Sequence, residues 1–229
     1  MRTLIVGDIH GCYPQFRRLL EKVEFEEKKD RIISLGDLMD RGEMSYEVLM
    51  YVRRLKERMK ERCVLLMGNH EWMAIHGRLD PLLRRMWYDN GGKATIDSFK
   101  QHGDRLEHYI AWMRRNMVLY YKEEDFQCVH AGIVKEEPRE NTEETLLWTR
   151  LAVEENQYKG KLTIIGHTPL KDVIYFTGSW KDTDVVPYGV EKKLPKQGMI
   201  CIDTGCVFGK KLTMMIVEEG RYMLEAVEY

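Results

Sequence analysis

Short apolar runs alternate with longer amphipathic stretches along the first half of this chain. Four or five apolar residues in a row, ended by glycine, are typical of a buried β-strand, whereas apolar positions three and four apart are typical of a helix. The predicted strands there are residues 3–6, 31–35 and 63–67. This order of strand, loop and helix favours an α/β fold.

The stretches between these strands predict helices. Pro14 opens the first, and Ser45 is the predicted N-cap of a second that runs to about residue 62. Residues 71–117 have helical spacing, interrupted at Pro81 and at residues 90–92.

The second half contains shorter apolar runs. Residues 118–121 and 126–129 predict a hairpin, and Thr142 is placed to cap a short helix. Residues 171–196 have no clear periodicity and are interpreted as a long surface insertion that either shapes substrate access or connects elements without a function. The remaining runs predict strands at residues 162–165, 199–203, 212–217 and 222–227.

Polar side chains follow several of the predicted strands directly, next to glycine. Open α/β sheets bind ligands at the carboxyl ends of their strands. An imidazole and a carboxylate two residues apart can point to one centre and suit Mn, Fe or Zn. By contrast, His76, His102 and His108 lie in the helical region away from strand ends and are not expected to bind metal. The candidate metal ligands are Asp8, His10, Asp37, Asn69, His130 and His167.

These six ligands are enough for two metal ions that share one carboxylate, and Asp37 is the natural bridge. Two metals about 3.5 to 4 Å apart can convert a shared water to hydroxide and neutralise the oxygens of a phosphoryl group under in-line attack. The nucleophile then requires neither serine nor cysteine. His70 lies next to Asn69, just outside the predicted metal shell, where a proton donor is useful.

Composition excludes several other classes. The 36 basic and 37 acidic residues give a net charge of −1, which argues against nucleic-acid binding and against a polybasic membrane anchor. The five cysteines form no CxxC pair and suggest reduced thiols. Without a predicted signal peptide or membrane span, we expect a cytoplasmic protein. The length favours a single domain over residues 1–229.

Six motifs in this order resemble the metallophosphoesterase superfamily, and within it the phosphoprotein phosphatase branch. That branch includes bacterial and phage Ser/Thr protein phosphatases, and the motifs also resemble those of bacterial diadenosine tetraphosphatases. The motifs are GDIHG at Gly7, GDLMDRG at Gly36, GNHE at Gly68, HAG at His130, GHTP at Gly166 and IDTGCVFG at Ile202.

The resemblance implies a calcineurin-like α/β fold, with two mixed β-sheets between outer helices, and two divalent metal ions, Mn before Fe or Zn. It implies His70 as the general acid and Asp40 as the group that orients it. Arg41 and Arg150 would grip the phosphate oxygens. One ion would be held by Asp8, His10, Asp37 and His167, and the other by Asp37, Asn69 and His130.

The substrate is the less determined part. Many protein phosphatases of this branch carry an arginine at the position of Met67, whereas the diadenosine tetraphosphatases carry an apolar residue there. Met67 therefore favours the tetraphosphatases, but Glu71 favours the protein phosphatases. The leading hypothesis is therefore hydrolysis of phosphate monoesters, including phosphoserine and phosphothreonine of a protein, or of a small phosphorylated molecule. The alternative is hydrolysis of dinucleoside polyphosphates such as diadenosine tetraphosphate. A catalytically dead binding module would not require the His70 and Asp40 pair.

Overall fold

The computed structural model describes residues 1–150, 158–176, 178 and 183–229. The strands in this part of the chain are β1 (Thr3–Val6), β2 (Arg31–Ser34), β3 (Cys63–Leu66), β4 (Met117–Val118), β5 (Tyr120–Lys122), β6 (Gln127–Val129), β7 (Thr163–Ile165), β8 (Ile174–Phe176), β9 (Thr183–Val185), β10 (Lys192–Lys193), β11 (Met199–Cys201), β12 (Lys211–Glu218) and β13 (Arg221–Glu228). The α-helices are α1 (Tyr13–Lys22), α2 (Ser45–Met59), α3 (Asn69–His76), α4 (Pro81–Trp87), α5 (Lys93–Gln101), α6 (Ile110–Asn116) and α7 (Glu143–Trp148).

These strands form two mixed sheets. The described strands of the first sheet run in the order β10-β13-β12-β1-β2-β3-β4, and those of the second in the order β5-β6-β7-β11-β8-β9. Strands β1 to β4 are parallel to one another, and β6, β7 and β11 form a parallel group in the second sheet. The predicted fold class, two mixed sheets with helices, is confirmed.

Side chains along each strand point alternately to two different parts of the hydrophobic core. In β1, Leu4 and Val6 join the cluster that α1 and α2 cover, while Ile5 packs with Ile164 and Ile200 of the second sheet. Successive strand residues face opposite sides, so one four-residue strand contributes to two apolar layers. A third cluster covers the outer face of the second sheet and includes Leu146 of α7. The helices and the two sheets therefore stack as layers.

Two local predictions need correction, and a third is confirmed with shifted bounds. Met44, not Ser45, is the N-cap of α2, and the Ser45 hydroxyl instead accepts the Asp40 N–H at 3.1 Å. The predicted hairpin of residues 118–121 and 126–129 is confirmed as the antiparallel pair β5 and β6, although its first strand begins only at Tyr120, because Val118 belongs to β4, which pairs with β3 in the first sheet. The described part of residues 171–196 is not only a surface insertion, because it contributes strands to both sheets. Strand β8 pairs with β11 inside the second sheet, and β10 forms the edge of the first. Hydrogen bonding between distant segments outweighs weak local periodicity in these places.

The parallel strands position the candidate site. The carboxyl ends of β1, β2, β3, β6, β7 and β11 lead into loops that meet along one edge of the layered sheets, where Gly166 N donates to His130 O at 2.8 Å and His10 N donates to Asp37 O at 2.8 Å. We call this edge the carboxyl edge. It is where an α/β sheet of this kind binds ligands.

All five cysteines are free and buried. Among the helices in the described ranges, none has the length and apolar character needed to cross a membrane.

Candidate active and metal site

The carboxyl edge brings together seven of the side chains predicted from sequence. All seven are buried, each with at most 8% of its surface exposed. Burying so many ionisable groups is costly unless they are paired or bind metal. They are Asp8, His10, Asp37, Asn69, His70, His130 and His167.

Asp37 lies between two groups of histidines. Its Oδ2 is 3.4 Å from His10 Nε2, 3.9 Å from His70 Nε2 and 3.5 Å from His130 Nε2. Among the described residues, the groups whose ligand atoms lie close enough to hold one ion are Asp37 with His10 and His70, and Asp37 with His130 and His167. Asp37 belongs to both groups, as a bridging carboxylate would.

The orientations of His10 and His130 are fixed by backbone carbonyls. His10 Nδ1 lies 2.8 Å from Met39 O, and His130 Nδ1 lies 2.8 Å from Leu35 O. A carbonyl only accepts, so each Nδ1 carries the proton and each Nε2 presents a lone pair to the site. Burial lowers the pKa of His130 and lowers the pKa of His10 to about 3, which keeps both rings neutral. Neutral imidazole is the form that binds metals.

The second group also contains Asn69. Its Oδ1 is 3.0 Å from His130 Nε2 and 3.1 Å from His167 Nδ1. This arrangement puts His167 beside Asn69 and His130, which differs from the division of ligands implied by the resemblance. The difference arises because the loops after β6 and β7 are neighbours in the second sheet, whereas His10 follows β1 in the first.

Carboxylates crowd this edge. Burial, with the nearby charges of Asp203 and Asp37, raises the pKa of Asp8 well above its usual range. Burial also raises the pKa of Asp203 to about 6, with Asp37 contributing. Asp8 Oδ1 is buried without a hydrogen-bond partner among the described residues. These acids need a positive charge that the surrounding side chains do not fully supply.

His70 is held by Asp40. His70 Nδ1 lies 2.7 Å from Asp40 Oδ2, and His70 Nε2 is buried with no hydrogen-bond partner among the described residues. The carboxylate of Asp40 also accepts from Trp87 Nε1 at 2.7 Å and from the Thr95 hydroxyl at 2.5 Å. Burial alone lowers the pKa of His70, but the charge of Asp37 and the bond to Asp40 outweigh it and raise the pKa.

Glu71 secures the loop that carries Asp37. Its carboxylate accepts the backbone N–H groups of Asp37 at 2.9 Å, Leu38 at 2.8 Å and Gly68 at 3.0 Å. Burial and the charge of Asp37 raise the pKa of Glu71 to about 7. Glu71 therefore acts on the backbone of the site.

The two predicted phosphate-binding arginines differ in placement. Arg41 is half-buried, its Nη1 donates to His10 Nε2 at 2.6 Å, and its guanidinium lies 5.4 Å from the centre of the Phe208 ring. Arg150 is exposed after the end of α7. Burial and the charge of His130 lower the pKa of His167 to about 3, and the charge of Arg150 also contributes to this lowering.

The loops of the carboxyl edge are strained. Positive φ angles occur at His10, Asp37, Asp40, Arg41 and His167, which L-residues adopt at a cost. Gly68 allows the Asp37 carboxylate to approach, because a Cβ at position 68 would overlap Asp37 Oδ1. Strain of this kind concentrates at functional sites.

Sequence patterns did not identify every residue that supports the site. Trp87 lies in the stretch of helical spacing over residues 71–117, which is typical of core, although an indole N–H seeks a partner when buried. Glu71 stands three residues after Gly68, a spacing at which a glutamate accepts from the backbone at a helix start. Thr95 carries no local signal for its position, whereas Asp203 and Phe208 lie within the IDTGCVFG motif, in which no site residue was predicted.

The histidines expected not to bind metal lie elsewhere. Nδ1 of His76 lies 2.9 Å from Trp72 O, and Nδ1 of His102 lies 3.0 Å from Ser98 O. His108 pairs with Asp104 at 2.8 Å.

The carboxyl edge fits divalent metal ions. The lone pairs of His10 Nε2 and His130 Nε2 face the Asp37 carboxylate, and His130 Nε2 also faces Asn69 Oδ1. These contacts bring acceptors together with no proton between them. A cation bound between these acceptors would remove their mutual repulsion. Mixed imidazole, carboxylate and amide ligands suit Mn, Fe or Zn.

Comparison with known proteins agrees with this geometry. A family model described as calcineurin-like phosphoesterase matches residues 1–194. The chain belongs to this family. The symmetrical bis(5'-nucleosyl)-tetraphosphatase of Buchnera aphidicola subsp. Acyrthosiphon pisum (strain Tuc7) is 37% identical over 136 residues, which cover 58% of this chain and 45% of the relative. The match therefore spans less than half of that relative's length.

Solved structures share the fold of this family member. A metallophosphoesterase from Sphaerobacter thermophilus is 20% identical with a TM-score of 0.66, and covers 100% of this chain and 89% of its own. A cold-active protein-tyrosine phosphatase from a psychrophilic Shewanella is 17% identical with a TM-score of 0.67. The alignment covers 99% of this chain and 80% of the phosphatase chain. At these identities the likeness concerns the fold alone.

Proposed function

We propose that this calcineurin-like phosphoesterase hydrolyses a phosphoanhydride bond of dinucleoside polyphosphates such as diadenosine tetraphosphate. The observation that carries the reaction class is Asp37, shared by two groups of imidazole ligands next to the His70 and Asp40 pair. The similarity to symmetrical tetraphosphatases supports the substrate class. It favours this alternative over hydrolysis of protein phosphoserine and phosphothreonine.

The proposed ligands of one ion are Asp8, His10 and Asp37, and those of the other are Asp37, Asn69, His130 and His167. Bound divalent ions would supply Lewis-acid charge to the phosphoryl oxygens and lower the pKa of a water molecule.

His70 is the proposed general acid. Asp40 holds the Nδ1 proton, which leaves Nε2 directed into the site. A protonated Nε2 would give its proton to the leaving oxygen, and the raised pKa of His70 favours that protonated form. Arg41 and Arg150 are proposed to bind phosphate oxygens, since a guanidinium can donate two parallel bonds.

Of the two residues that seemed to distinguish the substrates, one supports the dinucleotide and the other is neutral. Met67 is buried in the apolar layer under the helices and offers no charge to a phosphate. Glu71 had favoured protein phosphatases, but its carboxylate is engaged by three backbone N–H groups. It therefore has little influence on the substrate.

A side-by-side assay with added Mn tests this proposal. The kcat/KM for diadenosine tetraphosphate is compared with that for a phosphothreonine peptide, and the products are separated by anion exchange. We expect preference for the dinucleotide and two molecules of ADP from each substrate molecule and one water. Preference for the peptide would restore the protein-phosphatase hypothesis, and turnover of neither would refute both substrate classes.

A further inference from the structure

A cleft of about 490 Å³ opens between α3, α4 and α7. We propose that it binds the nucleobase of the substrate, an inference that rests on the proposed function. We call it the tryptophan cleft, and it is lined by Trp72, Leu83, Met86, Glu143, Glu144 and Trp148.

The position of the cleft suits a nucleotide whose phosphates lie at the carboxyl edge. Trp72 follows His70 by two residues in α3, and Trp148 precedes Arg150 by two residues at the end of α7. A helix rises about 1.5 Å per residue, so Trp72 lies only a few ångströms along the helix axis from His70. Two of the helices that form the cleft therefore also carry the proposed general acid or lead into a proposed phosphate-binding arginine.

The walls of the cleft offer flat aromatic surface. The rings of Trp72 and Trp148 are both half-buried and meet edge to face, with centroids 6.3 Å apart and planes at 85°. Trp72 also packs on His76, with ring centroids 4.3 Å apart, which helps to hold its ring in place. Leu83 and Met86 of α4 add apolar contact, and methionine adapts well to aromatic ligands. Nucleobases stack on aromatic side chains in this manner.

The rim of the cleft is negatively charged, unlike a site that binds phosphate. Glu143 and Glu144 are exposed carboxylates that repel phosphate but accept N–H groups. Adenine presents an exocyclic amine donor and carries no charge. A base in the cleft with its phosphates directed toward Arg150 and Arg41 therefore satisfies both regions, whereas a phosphate group in the cleft would not.

Substitution of Trp148 tests the inference. We compare the kcat/KM for diadenosine tetraphosphate with that for p-nitrophenyl phosphate, which has no base, and follow the ratio of the two. Trp148→Ala should lower this ratio about tenfold or more, because base stacking on an aromatic ring contributes on that scale. Trp148→Phe should restore most of the ratio. An unchanged ratio in Trp148→Ala would overturn the inference.

Adjacent residues of α4 provide a matched control. Leu83 lines the cleft, whereas Leu82 is 78% exposed and does not. Leu83→Ala should lower the substrate ratio and Leu82→Ala should leave it as in the wild type. Equal effects of the two substitutions would count against the cleft. If Trp148→Ala fails to fold, as judged by circular dichroism, Leu83→Ala carries the test alone.

A binding measurement separates this inference from the proposed function. Calorimetric titration of the Mn-loaded protein with ADP and with pyrophosphate reports the contribution of the nucleoside without catalysis. Tighter binding of ADP that Trp148→Ala abolishes would support the base site even if diadenosine tetraphosphate is not hydrolysed. Equal affinity for ADP and pyrophosphate in the wild type would refute the base site even if the dinucleotide is hydrolysed.

Discussion

The two ends of the central parallel strands differ in how their buried charged groups are paired. At the amino ends, Asp30 accepts from Arg2 Nη2 at 2.7 Å and from the Glu26 amide at 2.8 Å. The Arg62 guanidinium donates to the carbonyl of Asp30 at 2.7 Å. Asp30, Arg2 and Arg62 are thus held by hydrogen bonds within this end of the molecule.

At the carboxyl ends, Asp8, Asp37 and Asp203 are buried close together, and the neighbouring imidazoles present lone pairs. Arg41 donates to His10 rather than to these acids. The excess of acceptors leaves a place for external cations. The difference indicates that the amino end contributes to folding, whereas the carboxyl end is arranged for a ligand at some cost in stability.

Removing the charge of Asp37 should have the largest effect. We expect Asp37→Asn to bind fewer than two metal ions and to lose activity, because a neutral amide is a weak bridge between two cations. Metal content after Mn loading and desalting measures this, with the exposed Asp97→Asn as control. A variant that retains two ions per chain would refute the bridging role.

Substitution of His70 should affect chemistry more than metal content. His70→Asn should lower turnover of an alkyl phosphate by about two to four orders of magnitude, because the poor leaving group needs a proton. The effect on p-nitrophenyl phosphate should be smaller, and metal content should remain. Undiminished turnover of the alkyl phosphate would exclude His70 as the acid; His108→Asn, at an exposed position, is the control.

Trp87→Phe should have an intermediate effect through Asp40. Loss of the Nε1–H bond leaves more of the negative charge of Asp40 to act on His70, which should raise the pKa of His70 and lower kcat about tenfold. The pH dependence of kcat tests this, since the alkaline limb should move to higher pH. If thermal stability changes but the pH dependence of kcat does not, Trp87 contributes only to core packing. Trp112→Phe is the control.

Asp30→Asn should have the smallest effect and no effect on activity. Burial alone would raise the pKa of Asp30, but hydrogen bonds from Arg2 and Glu26 with the charge of Arg2 hold it below 3.8. A depressed pKa stabilises the folded state above the unfolded value, and this stabilisation is lost as pH falls through the folded pKa. The variant should lose about 1 kcal/mol at neutral pH.

Urea unfolding at pH 7 and near pH 3.5 measures this difference, which should shrink at the lower pH. Glu21→Gln removes a more exposed ion pair with Arg17 and should change stability little. A difference that is the same at both pH values would contradict the charge explanation.

Much of the carboxyl edge was predictable because its signals are local. Asp8, Asp37 and Asn69 each follow a glycine directly at the end of an apolar run, and parallel strands deliver their carboxyl ends to one edge. The apolar runs likewise located β1, β2 and β3 within one residue at each end.

Contacts between distant segments were not predictable in the same way. The grouping of His167 with Asn69 and His130 depends on which loops adjoin across the two sheets. The strands within residues 171–196 form by pairing with distant partners, so their own periodicity is weak. Trp72 and Trp148 are 76 positions apart, and only packing of α3 against α7 brings their rings together.

The sequence by itself determined the strand-end motifs, the ligand types and the fold class, because glycine, imidazole and carboxylate at strand ends are local features of the chain. The tertiary structure decided which ligands share an ion, how Asp40 and Asp37 are supported, and where the tryptophan cleft opens. Those properties depend on distances between loops of different strands, and such distances are fixed only when the two sheets pack.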